Sequence, residues 1–523
     1  MPASEFTTIE KFSRETDEYA PPPVVAENAQ IKDARREYER WQLNPDAFWA
    51  EEAEKFVWLE KWTTVSKFDG VYHQWFIGGK TNITLSALDR HNESENKNKL
   101  AYIWLGENGA EVKITYGELF ENVCRVSNGL KSLNVVKGDR VVIYMPLTIE
   151  GVTAMLACAR IGAIHSVVYA GLGSTALRER ITDAGAKILI AGDVGFRRGK
   201  TIDLKSIADD AVKDLDSIEK VVVFRRADTE LNDEREIDFA ELLKFPRECA
   251  AETMDAEDVL FILYTSGTTG KPKGVVHAVG GFMVGATYHL RTFFDVGDAD
   301  VFWCMSDIGW IVGHSYIVYA PLCAGATTVF REGAIDFPHQ AIAWEIVEKY
   351  KVTKMFTAPT AIRFFMRFGA DLPAKYDLTS LKVLACAGEP LNPEAWRWAQ
   401  TNLCGGDSER AHGYCIDNWW QTELGAPTIA TPPTMAMRAG KAGVPLAGVE
   451  ADVVDADGNA CAPDVGGRLI LRRPFPSMMR TVWNDAARYE RMWKQVAGCY
   501  VSGMSPLKTQ TVIFKFWDAP TMF

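Results

Sequence analysis

Tyr264 to Gly274 reads YTSGTTGKPKG and follows the apolar run Val259 to Leu263. A short apolar run leading into glycines predicts a buried strand opening into a loop. The loop has the chemistry of a polyphosphate cradle. Gly267 and Gly270 let backbone N–H groups approach phosphate oxygens, Thr265, Ser266, Thr268 and Thr269 offer hydroxyl donors, and Lys271 and Lys273 add positive charge. ATP is the ligand this chemistry implies. The Walker loop is excluded by spacing: it needs four residues between its glycines and Ser or Thr after its lysine. Here only Thr268 and Thr269 separate Gly267 from Gly270, and Pro272 follows Lys271. A short Gly-rich string by itself would equally suit a surface loop joining a strand to its neighbour.

The chain around this loop has the balance of a globular enzyme. Its 523 residues exceed what one core usually organises, so at least two packed subdomains are expected, and 47% apolar residues supply the core. A net charge of -12 without a long basic run argues against a nucleic-acid or membrane-surface binder. Ten cysteines without a CxxC pair or metal-ligand spacing suit reduced, buried thiols in a cytoplasmic protein. The N-terminus has neither the basic nor the apolar region of a secretory signal. The apolar neighbourhood Val141 to Gly173 is broken by Pro146, Glu150, Arg160 and His165, short of the roughly 20 residues that cross a bilayer, and reads as a buried α/β segment.

Short β-branched runs alternate with longer helical patterns: Arg140 to Met145, a helix through Arg160, Ser166 to Tyr169, a helix through Ala184, then Lys187 to Ile190. Such alternation predicts an α/β protein with parallel sheets and covering helices. Near Pro445 to Val454 and Gly467 to Arg473 the pattern changes to short strands separated by Asp455, Asp457, Gly458 and Asn459, the turn residues of a smaller β subdomain. Residues 1 to 40 are polar, carry the run Pro21 to Pro23, and are expected to form an extended arm.

The loop resembles the signature of the adenylate-forming, AMP-binding superfamily, and further segments in the family's order strengthen the likeness. AGEPLN at Ala387 to Asn392 resembles its adenine-binding turn, and DNWWQTE at Asp417 to Glu423 resembles its nucleotide and magnesium segment. ITYGEL at Ile114, MLACARIGA at Met155 and TAPTAI at Thr357 also match. The likeness is greatest to acetyl-CoA and propionyl-CoA synthetases and runs from about Trp41 to Gly503. It implies a large N-terminal adenylating domain over 41–503, with two parallel-rich sheets layered with helices and a smaller β subdomain. It also implies the cofactors and co-substrates ATP, Mg²⁺ and coenzyme A, with a small carboxylate as substrate and no nucleic-acid or membrane partner.

The resemblance assigns roles residue by residue. Thr265, Lys273 and Glu423 are the catalytic set, with Thr265 to Lys273 holding phosphates and Glu423 coordinating Mg²⁺. Gly388, Glu389 and Pro390 line the adenine, and Asp417, Asn418, Trp419, Trp420, Gln421 and Thr422 line the AMP moiety. Taken singly, Glu389 and Glu423 would also suit helix starts, and Asp417 a solvated loop acid. Trp419 is expected to fill core, while Trp420 walls a short acyl pocket with Ile311, Val312 and Ala387. Related acetate-specific enzymes carry valine where Ala387 stands, so two methyl groups fewer admit propionate beside acetate. His314, next to these walls, is expected to be a packed neutral ring. Phe196 to Lys200 (FRRGK) resembles the basic turn that meets the nucleotide phosphate of coenzyme A, through Arg197 and Lys200. A solvated basic turn has the same composition.

After Gly503 the family pattern stops. It expects a ribose-binding aspartate, a hinge and a mobile C-terminal lid domain; here the chain continues MSPLKTQTVIFKFWDAPTMF. With suitable synonymous codons, reading this tail one nucleotide earlier gives Asp-Val-Ala-Ile-Lys-Asp-Ala-Asp-Gly-Tyr-Phe-Gln-Val-Leu-Gly-Arg-Ala-Asp-Asp-Val, the expected family motif. Residues 504–523 are therefore read as an aberrant, frameshifted tail, the lid domain as missing, and activity as impaired. Two further functions fit the same residues: an acyl-adenylate former that uses another thiol acceptor, and a non-catalytic nucleotide-binding remnant.

Overall fold

The computed structural model describes residues 17–227, 229–232, 234–265, 272–406, 410–462 and 465–502. The β-branched runs around position 140 become the strands Arg140–Tyr144, Ile164–Val167 and Ile188–Gly192, separated by the helices Ile149–Arg160 and Ser174–Ala184. All of Ile149–Arg160 except Glu150 is buried, as an all-round apolar helix requires. Thr148 caps its N-terminus by accepting the Gly151 N–H at 3.3 Å.

These strands enter an eight-stranded sheet in the order Glu236–Asp238, Lys220–Phe224, Ile188–Gly192, Arg140–Tyr144, Ile164–Val167, Val259–Thr265, Lys273–Ala278, Thr481–Val482. A second, nine-stranded sheet has a parallel centre running through Tyr414–Trp419, Val383–Cys386, Lys354–Thr357, Val301–Cys304, Thr327–Arg331 and Leu100–Leu105. Both sheets are mixed: the parallel centres follow the sequence pattern, but antiparallel strands close one edge of the eight-stranded sheet and both edges of the nine-stranded one. One of these edges is decisive. Val259–Thr265 and Lys273–Ala278 form an antiparallel hairpin, so the Gly-rich segment joins two strands and does not open a helix.

One continuous core joins residues of both sheets with the helices Tyr116–Ser132, Ile149–Arg160 and Val279–Thr292. In the ITYGEL segment Thr115 and Glu118 form a reciprocal capping box, which is why the strand Glu111–Thr115 turns directly into a helix. The predicted small β subdomain is a three-stranded antiparallel sheet of Ala451–Val454, Arg468–Leu471 and Tyr500–Val501. Its turn is organised by the Asp455 carboxylate, which accepts from the N–H groups of Asp457 and Asn459 at 2.9 Å each.

The expected extended arm differs in its described part. Pro23–Ala26 and Ala34–Leu43 are helices, and Glu18–Tyr19 pairs with Met437–Arg438. The Asp33 carboxylate caps the second helix through the Arg36 N–H, and its Tyr38 and Trp41 are buried, so the helix is held by packing that polar composition conceals. Nine of the ten cysteines are buried free thiols, and Cys461 is half-buried. Among the described residues no helix is long and apolar enough to cross a membrane.

Arg160 is a charge buried inside this core. It is 2% exposed and pairs with both carboxylate oxygens of Asp89 at 2.8 and 2.9 Å, while its Nε donates to the Cys249 carbonyl at 2.7 Å. Arg160→Leu leaves Asp89 unpaired and is expected to lower unfolding free energy by about 3–5 kcal/mol, measured by urea denaturation.

Candidate active site

The hairpin brings Thr265 and Lys273 opposite one another in register. Ser266, Gly267, Thr268, Thr269, Gly270 and Lys271 lie outside the described residues. Lys273 is 8% exposed and its ammonium pairs with the carboxylate of Glu423. Glu423 sits in the 3₁₀ turn Thr422–Leu424, which follows the strand Tyr414–Trp419 of the nine-stranded sheet. The pair thus ties the two sheets together at one point.

The other predicted residues gather at the carboxyl ends of parallel strands, where open α/β sheets present their ligand crevices. Gly388, Glu389 and Pro390 follow the strand Val383–Cys386, whose Cys386 lies in register with Asp417. Gly388 has φ +102°, and a Cβ placed there would meet nothing within 4 Å; backbone conformation, not crowding, demands the glycine. The Glu389 carboxylate accepts from the Thr360 hydroxyl and from Arg363, which anchors it in a partly exposed position.

Asp417 is 4% exposed. Burial pushes its carboxyl well above the usual carboxylate range, opposed by the N–H groups of Asn418 and Leu391 that donate to it. The Asn418 amide donates to the Cys386 carbonyl at 2.8 Å, locking the two strand ends together. Among the described residues, three buried polar atoms adjoining this turn have no protein partner: Thr357 Oγ1, Asn392 Oδ1 and Asn418 Oδ1. Gln421 accepts from the Tyr500 hydroxyl at 3.1 Å and donates to the Ser502 carbonyl at 3.4 Å, which couples the segment to the small β sheet.

Both Trp419 and Trp420 are half-buried and pack against the main core; Trp419 is the last residue of its strand. Trp420 packs edge-on against the fully buried Tyr316, with ring centroids 5.6 Å apart. Ile311 and Val312 lie in the helical turn Ile311–Gly313, which continues into the π-helical segment His314–Tyr319 containing Tyr316. Ile311 and Ala387 are buried and Val312 is half-buried. His314 is fully buried, and burial drives its pKa down to about 4, so the ring is neutral and packed against Phe261 at 4.5 Å.

Arg197 and Lys200 face each other across the turn of the hairpin formed by Val194–Arg197 and Lys200–Asp203, and both are exposed. Two buried glutamates hold this hairpin. Glu107 accepts the Gly199 N–H at 3.0 Å, and Glu332 accepts the Phe196 N–H at 3.2 Å while pairing with Arg226 at 2.7 Å. A cavity of about 660 Å³ opens beside it, lined among others by Tyr169, Phe196, Arg197, Asp307, Trp310 and Arg331. Lys200 is not part of that lining, nor is any residue of the Lys273–Glu423 region.

Sequence reading missed several groups that shape the site. Thr360 and Arg363 were within reach, since Thr360 belongs to the TAPTAI segment and Arg363 adjoins it. Ser315, Tyr316, Ser477 and Tyr500 carried no local signal, because their partners are 53 or more residues away in the chain.

Asp417 yields a pH prediction. Its folded pKa lies above its unfolded value of about 3.9, so its relative contribution to stability is present below that value and is lost as pH rises through the folded one. Asp417→Asn removes the titration. The variant is expected to gain stability over the wild type at pH 8 and to show a smaller gain, or none, at pH 4, measured from urea midpoints at the two values.

Comparison with known proteins shows the family of the chain. The family model described as AMP-binding enzyme matches residues 88–483, and that described as acetyl-coenzyme A synthetase N-terminus matches residues 34–87. The acetyl-coenzyme A synthetase of Methanothrix thermoacetophila is 46% identical over 87% of this chain and 70% of its own length. Those of Deinococcus radiodurans and Streptomyces avermitilis are each 45% identical, over 92% and 95% of this chain and 75% and 76% of their own lengths. In fold, the chain matches the structure of acetoacetyl-CoA synthetase from Streptomyces lividans with a TM-score of 0.84, covering 92% of this chain and 77% of that one at 24% identity. The chain belongs to the AMP-binding enzyme family, as an acid–thiol ligase related to acetyl-coenzyme A synthetase.

Proposed function

We propose that this chain activates a short carboxylate, acetate or propionate, with ATP and transfers the acyl group to coenzyme A. The observation that carries the reading is the Lys273–Glu423 pair, a cation and a carboxylate shielded together beside Thr265 at the mouth of the hairpin. A carboxylate oxygen is a poor leaving group, and transfer of AMP makes it a good one. Attack at the α-phosphate crowds negative charge, so the protein contributes position and charge stabilisation.

In this reading Thr265, Lys273 and the segment 266–271 hold the β- and γ-phosphates. Glu423 is the protein ligand for Mg²⁺. A single carboxylate suits that ion, which takes its remaining ligands from phosphates and water, and among the described residues no group of three potential metal ligands exists. When bound, Mg²⁺ neutralises charge on the phosphate oxygens. Gly388, Glu389 and Pro390 line the adenine, and Asp417, Asn418, Trp419, Gln421 and Thr422 line the rest of the AMP moiety. The unpartnered polar atoms of Thr357, Asn392 and Asn418 fit a polar ligand at this turn. Trp420, Ile311, Val312 and Ala387 bound the acyl pocket. Arg197 and Lys200 meet the nucleotide phosphate of coenzyme A, and the cavity beside Arg197 takes the rest of that molecule. The names of the relatives above support the acetyl-CoA product.

Carboxylate-dependent exchange of labelled pyrophosphate into ATP tests the proposal. Acetate and propionate are expected to support exchange and a long-chain acid to fail; failure of every short acid would refute it. Ala387→Val is expected to lower propionate exchange relative to acetate by about tenfold, the scale set by one or two methyl groups in an apolar pocket. Trp420→Gly is expected to admit longer acids. Turnover with carrier-bound phosphopantetheine but not free coenzyme A would instead favour another thiol acceptor. The out-of-frame reading of residues 504–523 is a separate proposal, and renewed sequencing across the Gly503 codon that finds no lost nucleotide would dispose of it.

A further inference from the structure

The turn that presents Glu423 is held at four successive carbonyls by groups from three other parts of the chain. The Thr422 carbonyl lies 2.9 Å from His277 Nε2, and the Glu423 carbonyl accepts the Met479 N–H at 2.8 Å. The Leu424 carbonyl accepts the Ser477 hydroxyl at 2.8 Å, and the Gly425 carbonyl accepts the Ser315 hydroxyl at 2.7 Å. His277 is the one side chain of this group that also lies on the phosphate-loop hairpin. It sits four residues after Lys273 on the strand Lys273–Ala278, so the two side chains project from the same face. Lys273 holds the carboxylate of Glu423, and His277 holds the backbone one residue before it.

The ring is fully buried, and burial drives its pKa down to about 3, so it carries one N–H at neutral pH. Two carbonyls face it, Thr422 at Nε2 and Ser477 at Nδ1, the latter at 3.0 Å. Only one can be served. The Ser477 hydroxyl separately anchors its own residue to Leu424. Among the described residues neither carbonyl accepts another hydrogen bond from outside its own turn, and the Thr422 contact is the shorter one.

We propose that His277 is a positioning residue for the adenylation half-reaction, donating its Nε2–H to the Thr422 carbonyl and so setting where Glu423 presents its carboxylate to magnesium-bound nucleotide. The assignment rests on the adenylation reading above. It requires a donor at the Nε2 position and none at Nδ1. Gln places an amide nitrogen near the former and Asn near the latter, so the two substitutions separate the roles.

The test is magnesium-dependent ATP binding by the full chain, measured by titration calorimetry, with thermal melts of each variant. His277→Gln is expected to keep the dissociation constant within about twofold of wild type, and His277→Asn to weaken it about tenfold, the scale of groups that orient a metal ligand. In a Glu423→Gln background, His277→Asn is expected to add no further loss, because the carboxylate it positions is gone. Equal weakening by Gln and Asn would overturn the assignment, as would a full additional loss in the Glu423→Gln background. A wild-type chain that binds ATP without magnesium dependence would overturn the role of Glu423 itself, a separate failure from that of His277.

Discussion

The Lys273–Glu423 ion pair is where the two sheets are made to meet. Both groups are largely withdrawn from water, and a charge in that condition needs an opposite charge or a ligand beside it. Lys273 belongs to the eight-stranded sheet and Glu423 to the turn leaving the nine-stranded one, so satisfying either charge fixes the seam between the sheets. The same seam collects Asp417, the Gly388 turn and the half-buried face of Trp420. As paired, the two groups form a neutral unit; in the proposed reading a phosphate-bearing ligand and its metal ion would divide the pair between them.

The aromatic and imidazole groups behind the pair contribute no charge of their own. Phe261 is flanked by His165 at 5.5 Å, His277 at 4.9 Å and His314 at 4.5 Å, and all three rings are fully buried. Burial lowers the pKa of each, so they act as apolar plates that also hold directed hydrogen bonds. His165 spends its Nε2 on the Tyr319 hydroxyl at 2.6 Å. The charges at the hairpin are therefore those of Lys273 and Glu423, since burial also favours the neutral form of Asp417.

Much of this was legible because the site is built from contiguous segments. The strand and loop at Val259 to Gly274, the turn at Gly388 and the run from Asp417 to Glu423 each announce themselves locally, through apolar runs, glycines and clustered polar groups. The α/β alternation around Arg140 to Ile190 could be read for the same reason, since period and punctuation are local properties. What stayed hidden depends on distance. Nothing in the sequence says that Lys273 meets Glu423, 150 residues away, that the Gly-rich loop joins an antiparallel pair, or that Ser477 and Ser315 hold the Glu423 turn. The N-terminal helix Ala34–Leu43 was obscured by a different cause: its polar composition masks Tyr38 and Trp41, whose burial is what makes it helical.

The strand Lys273–Ala278 completes its hydrogen bonding on one side only through Val275 and Val276, which pair with Val482 and Thr481. During synthesis, that edge must wait for about 200 further residues to be made before its partner exists. Until then an apolar strand, VVHA, lies open to pairing with other chains. The first sheet therefore cannot be finished in the order in which it is translated, and its last open edge is on the same strand that carries Lys273.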